Sequence, residues 1–287
     1  MLSTVYGGLM LLYLAVGLLF LAAGLLASPS LNRWARVLFG AGLATHTAGL
    51  LGRWWESYHL ALGHTPLTHF SEKLRLVILQ APMSNFYESL VFFAWCLPFL
   101  AILTFRRHLR DYLGTVVALA ACLLLAYASL GGVDSRIKPL MPALKSNWLL
   151  FHVVTCFLGY AAFTLGCGVA LIYLFQERRP RPSLQPLPEL DRLIYQATII
   201  GFLLLTLGIL TGAVWAETAW GRYWSWDPKE TWSLITWLVY ATLLHARLVK
   251  GWQGRRIAWL AVLGFAAVLF TYFGVSFLLP GLHSYLT

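Results

Sequence analysis

Eight long apolar stretches dominate this chain of 287 residues, near 5–27, 34–54, 87–105, 112–130, 149–175, 194–216, 231–249 and 256–279. Each can cross about 30 Å of hydrocarbon as a helix rising 1.5 Å per residue. The alternating ten-residue segments of a transmembrane β-barrel are not visible. The residue balance excludes soluble domains: 59% of residues are hydrophobic, 11% are charged, and the mean hydropathy is +0.71. The first run could be mistaken for a signal peptide because Ala27-Ser28 follows it. It lacks a basic start and is too long, so it reads as a span. No repeat and no soluble module is visible. The expected fold is all-α, an integral polytopic bundle of about eight transmembrane helices forming one domain over residues 1–287.

Charge sets the expected orientation. Of the 21 Lys and Arg residues, thirteen fall on one side of the eight-span arrangement and eight on the other. The richer side has the shorter loops, with Arg106, Arg107, Arg110, Arg178, Arg179 and Arg181 among its residues, so it is cytoplasmic. Both termini and the loop between spans six and seven then face outward. Topology-setting residues of this kind account for the net charge of +10. No basic run interleaved with exposed aromatics suggests a nucleic-acid partner. Cys96, Cys122, Cys156 and Cys167 all lie in apolar runs, without a CxxC or CxxCH, and read as buried structural thiols.

The outer loop between spans six and seven is unlike the rest. WAETAWGRYWSWDPKETWSLITW, residues 215–237, holds six of the chain's 13 tryptophans: Trp215, Trp220, Trp224, Trp226, Trp232 and Trp237. Glu217, Arg222, Asp227, Lys229 and Glu230 are mixed among them. Tryptophans gather at bilayer interfaces in any case, so one reading is a heavy interfacial belt. The other is a stacking platform for a large flat ligand. Asp227-Pro228-Lys229-Glu230 is also a helix start, with Asp227 at the N-cap, Pro228 first and Glu230 third. Asn85 with Glu88 is a second capping box, opening span three, and Ser146-Asn147 is a cap for span five.

Position separates the eight histidines. His108 is a surface residue in a cytoplasmic loop, and His59, His64 and His69 scatter through the outer loop 55–86 without a metal-site spacing. His152 lies at the outer boundary of span five, and His283 follows Pro280-Gly281 beyond span eight, at the level of the tryptophan stretch. Two imidazoles on opposite sides of a planar macrocycle hold a b-type haem iron; two interfacial histidines bonded to carbonyls fit the same positions. His46 and His245 lie within spans, His245 nearer the cytoplasm, where an ionisable side chain is a functional candidate. Packing through helix-to-helix hydrogen bonds is the alternative.

WAETAWGRYWSWDPKETWSLITW resembles the WWD motif of haem-handling membrane proteins. With its DPKETWSL continuation, the terminal GLHSY, the outer-loop PMSNFYESL and the LLHARL after the motif, the chain resembles the CcsA (ResC) family of system II cytochrome c biogenesis from about residue 46 to 285. The resemblance implies a bacterial plasma-membrane protein, rather than a thylakoid one, that moves haem b to an outer WWD site. There it presents haem for thioether attachment to an apocytochrome c CxxCH, as the haem lyase component acting with a CcsB/ResB partner. It further implies His152 and His283 as the outer axial pair and His245 as an intramembrane ligand, whose second ligand is either His46 or a partner residue.

The residue types fit that chemistry. Tryptophan faces at Trp215, Trp220, Trp224, Trp226 and Trp232 can hold a porphyrin without covalent bonds. Arg222 and Lys229 can pair with its propionates, and Asp227 shapes the segment. No nucleophile–base pair is aimed at the bond-forming step, which leaves positioning of two reactants. A haem exporter without an attachment role, and an electron-transfer cytochrome b subunit with histidine pairs inside its spans, are the alternative functions.

Overall fold

The computed structural model describes residues 2–63, 69–108, 111–138, 140, 144–180 and 185–281, and all regular structure among them is helical. In chain order the helices are α1 (Leu2–Leu25), α2 (Pro29–Leu62), α3 (Phe70–Leu79), α4 (Phe86–Phe105), α5 (Asp111–Leu130), α6 (Asn147–Arg178), α7 (Leu187–Trp220), α8 (Pro228–Leu248) and α9 (Arg255–Leu269). A π-turn over Phe270–Gly274 continues α9 into the short α10 (Val275–Leu278). Among the described residues, six stretches are long and apolar enough to cross a membrane: α1, α4, α5, α6, α7 and the α9–α10 run. α2 and α8, at 34 and 21 residues, extend about 51 and 32 Å but carry too many polar side chains to meet the same measure.

Local chemistry fixes the ends. Ser28 caps α2 by accepting from the Leu31 amide, and Pro29 follows as a first helical residue whose missing N–H costs nothing. The Asn85 side chain accepts from the Glu88 amide at 2.8 Å, opening α4 as expected. Gly221 ends α7 in the left-handed region at φ 72°, its N–H bonded to the Glu217 carbonyl.

Two groups of helices pack into one body. α1, α2, α4 and α5 form one, α6 to α9 the other, and α4 and α5 lie against α6 between them. The closest seam is α6 on α7, and small residues make it possible. A Cβ at Gly201 would lie 2.5 Å from the Phe163 ring, at Gly208 2.5 Å from the Cys156 sulfur, and at Gly212 2.5 Å from His152 Nδ1. Glycines at 201, 208 and 212 share one face of α7, so the seam runs unbroken to the end of the bundle that carries the tryptophans.

That end is more structured than a loop. α2 runs to Leu62 and α3 occupies Phe70–Leu79, within the stretch 55–86 read as an outer loop. Trp54 Nε1 donates to the Val77 carbonyl at 2.6 Å, docking α3 on α2. Below it, Arg53 and Glu88 form an ion pair at 2.9 Å with both side chains almost fully covered. Arg53 also donates to the Ser135 carbonyl, and Glu88 accepts from the Ser84 amide and hydroxyl. Each charge thus has hydrogen-bond partners beyond the pair itself, as a buried pair needs.

Candidate functional site

The tryptophan segment begins inside α7 rather than after it. Trp215 and Trp220 sit on its last turns, with ring centroids 4.8 Å apart at 63°. Trp215 is 4% exposed, and its face is turned to His152 of α6, centroids 5.9 Å apart and planes within 16°. The same imidazole is anchored from the other side. Its Nδ1 lies 2.7 Å from the Gly208 carbonyl, an acceptor that fixes a proton on Nδ1, so that in the neutral imidazole the lone pair is on Nε2. A metal-binding histidine is commonly oriented in this way, through a backbone carbonyl on its second nitrogen. Gly212 leaves the space the ring fills.

Beyond Gly221 the chain turns through Arg222 and Tyr223, both exposed, to Trp224 and Trp226. These two rings meet edge to face, centroids 5.7 Å apart. Trp226 has φ 59°, in the left-handed region that side chains other than glycine rarely enter. Glu230 accounts for that conformation. Its carboxylate accepts from the Ser225 amide at 2.8 Å and the Asp227 amide at 3.1 Å, and the Ser225 hydroxyl donates to it as well. Gathering the N–H groups on both sides of Trp226 onto one carboxylate folds the chain back at that residue. The indole is thrown outward and is 68% exposed.

Asp227 caps α8, its Oδ1 accepting from the Lys229 amide at 3.0 Å, and the reciprocal Glu230 bond completes the capping box read from the sequence. Lys229 is partly buried and interacts electrostatically with Asp227 and with the Cys156 thiol, one turn along α6 from His152. Burial lowers its pKa to about 8, against the raising influence of those two groups. Trp232 packs on Phe270, centroids 4.1 Å apart, while the Trp237 indole N–H donates to the Thr206 hydroxyl at 2.8 Å, tying α8 to α7. The segment therefore divides into a pair beside His152, a pair in the turn, and two anchors.

His283 and His64 lie outside the described residues. Gly281 is the last one described, and a Cβ there would meet Asp227 Oδ2 at 2.5 Å and Pro228 Cδ at 3.0 Å. The chain thus arrives two residues before His283 directly against the start of α8. The π-turn prepares this approach: Thr271 bonds Thr236 of α8 at 2.9 Å, and Tyr272 bonds Ser89 of α4 at 2.7 Å. Such turns recur at functional sites.

The two histidines within spans are not brought together. His46 is wholly buried between α1, α2 and α4, with Nδ1 3.5 Å from the Tyr13 hydroxyl. Its Nε2 has no hydrogen-bond partner among the described residues. His245 is exposed on α8, and α2 and α8 do not pack side by side. Glu230, Gly208 and Gly212 belong to this candidate site although the sequence alone does not mark them for that role. The run of glycines at 201, 208 and 212 was the available signal for the last two.

Residues 83–283 match the family described as Cytochrome C assembly protein. The chain is 46% identical to the Cytochrome c biogenesis protein CcsA of Chlamydomonas reinhardtii, covering 71% of this chain and 60% of that protein. It is 37% identical to the CcsA of Synechococcus sp. (strain CC9605), with 98% and 94% covered. Among solved structures it is similar to the Cytochrome c Heme Lyase CcmF, with a TM-score of 0.67 at 22% identity, covering 95% of this chain and 47% of that one. This last likeness is one of fold. On the family match and these identities, the chain belongs to the CcsA family of cytochrome c biogenesis proteins, and is a multi-pass helical membrane protein.

Proposed function

We propose that this chain holds haem b at its outer face and presents it for thioether attachment to apocytochrome c, as the haem-handling subunit of a system II synthase in a bacterial plasma membrane. The observation that carries the reading is the His152 imidazole, backed by Trp215 and anchored through Nδ1 on Gly208 with its lone pair on Nε2. His283 supplies the opposite axial nitrogen, a reading supported by the approach of Gly281 to Asp227. Trp220, Trp224, Trp226 and Trp232 bound the porphyrin, and Trp215 acts from behind the imidazole. Bound haem supplies the vinyl groups that accept the cysteine thiols. The chain's own contribution is to orient the macrocycle and hold its iron.

His245 serves an inner haem position on the same route. Its exposure on α8, away from His46, favours a second ligand from a CcsB/ResB-type partner. Under this reading His46→Ala leaves inner haem intact, whereas His245→Ala removes it and lowers loading of the outer site. Haem content of the purified complex separates the two outcomes.

α2 and α8 cross the membrane with the other six, which sets both termini outside. Cysteines introduced at Ser135 and Ser183 are then labelled by an impermeant maleimide from opposite sides, Ser183 from the cytoplasm. Labelling of both from one side means a span has been miscounted.

Lys229 and Arg222 pair with haem propionate. For Lys229 this fixes a pH dependence. Its folded-state pKa of about 8 keeps the ammonium charged at neutral pH, so the attraction is present below 8 and is lost as pH rises through it. Haem affinity of purified protein is expected to fall from pH 7.5 upward. Lys229→Arg, charged throughout, removes the decline. An unchanged decline in that variant assigns it to another group.

A further inference from the structure

A cleft of about 350 Å³ opens at the tryptophan-bearing end between α3, the start of α6 and the end of α7. Arg75 of α3 and Lys145, just before α6, line it together with Asn147, Trp148 and Thr218, and among the described residues no carboxylate does. Neither Arg75 nor Lys145 makes an ion pair among the described residues. Two cations from separate elements around one cleft repel each other, and an anion between them reverses the sign of that interaction.

The helix register relates the cleft to the imidazole. Trp148 precedes His152 by four residues on α6, and Thr218 follows Trp215 by three on α7. Both spacings return to the same helix face, about 6 Å and 4.5 Å further along the axis. The cleft therefore lies one turn outward of the His152–Trp215 stack, on the faces that carry it. A macrocycle ligated by His152 would reach the cleft with its edge if it extended outward by about that one turn.

We propose that this cleft is a carboxylate subsite that receives one propionate of the haem bound at His152, with Arg75 and Lys145 as its donors. The inference rests on the outer haem site described above, and it leaves Lys229 and Arg222 to the other propionate. An arginine offers a carboxylate two parallel N–H donors and a lysine a point charge, so the pair fixes the edge of the ring as well as attracting it. The phosphate of an anionic lipid presents the same oxyanion chemistry from a different source.

Haem and its dimethyl ester are titrated into purified protein in phosphatidylcholine nanodiscs, using wild type, Arg75→Gln, Lys145→Gln and the double variant. Each single substitution is expected to weaken haem binding about tenfold, the loss of one charge-assisted contact. The ester, with no carboxylate to place, binds wild type and variants alike. Equal haem affinity in all four proteins, or equal weakening of acid and ester, overturns the subsite. Nanodiscs containing phosphatidylglycerol give the lipid arm: if native mass spectrometry finds that the substitutions strip bound anionic lipid while haem affinity is unchanged, the cleft is a headgroup site instead. His152→Ala is run alongside. Haem binding that ignores this substitution removes the outer site and the subsite with it, whereas binding that responds to His152 but not to Arg75 or Lys145 removes the subsite alone.

Discussion

Gly212→Val is expected to empty the outer site of haem although it removes no ligand. The new Cβ would stand 2.5 Å from His152 Nδ1 and 2.7 Å from Cε1, inside any tolerable contact. The neighbouring atoms are a stiff ring, already held by Gly208 and Trp215, so the imidazole must rotate away. Rotation breaks the Nδ1 bond that fixes the tautomer, a kind of outer-shell loss that typically costs a metal site 10- to 100-fold in affinity. Cytochrome c maturation is expected to fall at least that far, while the variant still accumulates in the membrane. Gly208→Ala is the contrasting case. There the clash is with the Cys156 sulfur at 2.5 Å and the Cys156 backbone at 3.3 Å, so the whole α6–α7 seam must open and accumulation itself drops. Normal maturation in Gly212→Val would mean that the orientation of His152 is irrelevant to the site.

Glu230→Ala is the second large effect. It removes the carboxylate that holds the Ser225 and Asp227 amides, and with it the reason for Trp226 to remain at φ 59°. A residue of this type in the left-handed region carries about 1–3 kcal/mol of strain that only surrounding contacts can hold. Without them Trp226 relaxes to ordinary backbone, the exposed indole swings away from Trp224, and haem binding falls. Loss of half the capping box adds about 1 kcal/mol of helix destabilisation. Asp227→Ala, which removes the capping oxygen while the Glu230 carboxylate keeps the Ser225 and residue-227 amides, separates the two consequences: α8 is weakened and Trp226 stays in its turn. Haem titration together with Trp fluorescence reads both. A Glu230→Ala protein that binds haem like wild type would make the turn at Trp226 incidental.

The helices and the character of the bundle were legible from apolar run length, because a membrane demands about 20 apolar residues per span and the sequence has little else. The capping box at Asp227 was equally legible, since the cap, the proline and the glutamate each have one local meaning; at Asn85 the cap formed, but Glu88 turned to Arg53 and Ser84 and did not complete the box. What escaped was set by contacts distant in sequence. α3 is ten residues long and amphipathic, and it is held by the Trp54 indole from another helix, so residues 55–86 read as loop. The last turns of α7 absorb Trp215 and Trp220, which a span ending at 216 divided from one another. Glu230 was visible as a capping residue but not as the group that turns Trp226 outward, because its bond to Ser225 has no sequence signature. His46 and His245 lie at depths that allowed a shared ligand; only the packing of α2 against α1 and α4, with α8 elsewhere, separates them.

In the proposed site, His152 Nε2 binds haem iron at the tryptophan platform. The direct measurement is a visible absorption titration of haem into haem-free protein with its partner, comparing wild type with His152→Ala, each with and without imidazole. Wild type is expected to give a low-spin six-coordinate spectrum, which is lost in His152→Ala and partly returns when imidazole enters the vacated position. A His152→Ala spectrum and affinity indistinguishable from wild type would contradict it.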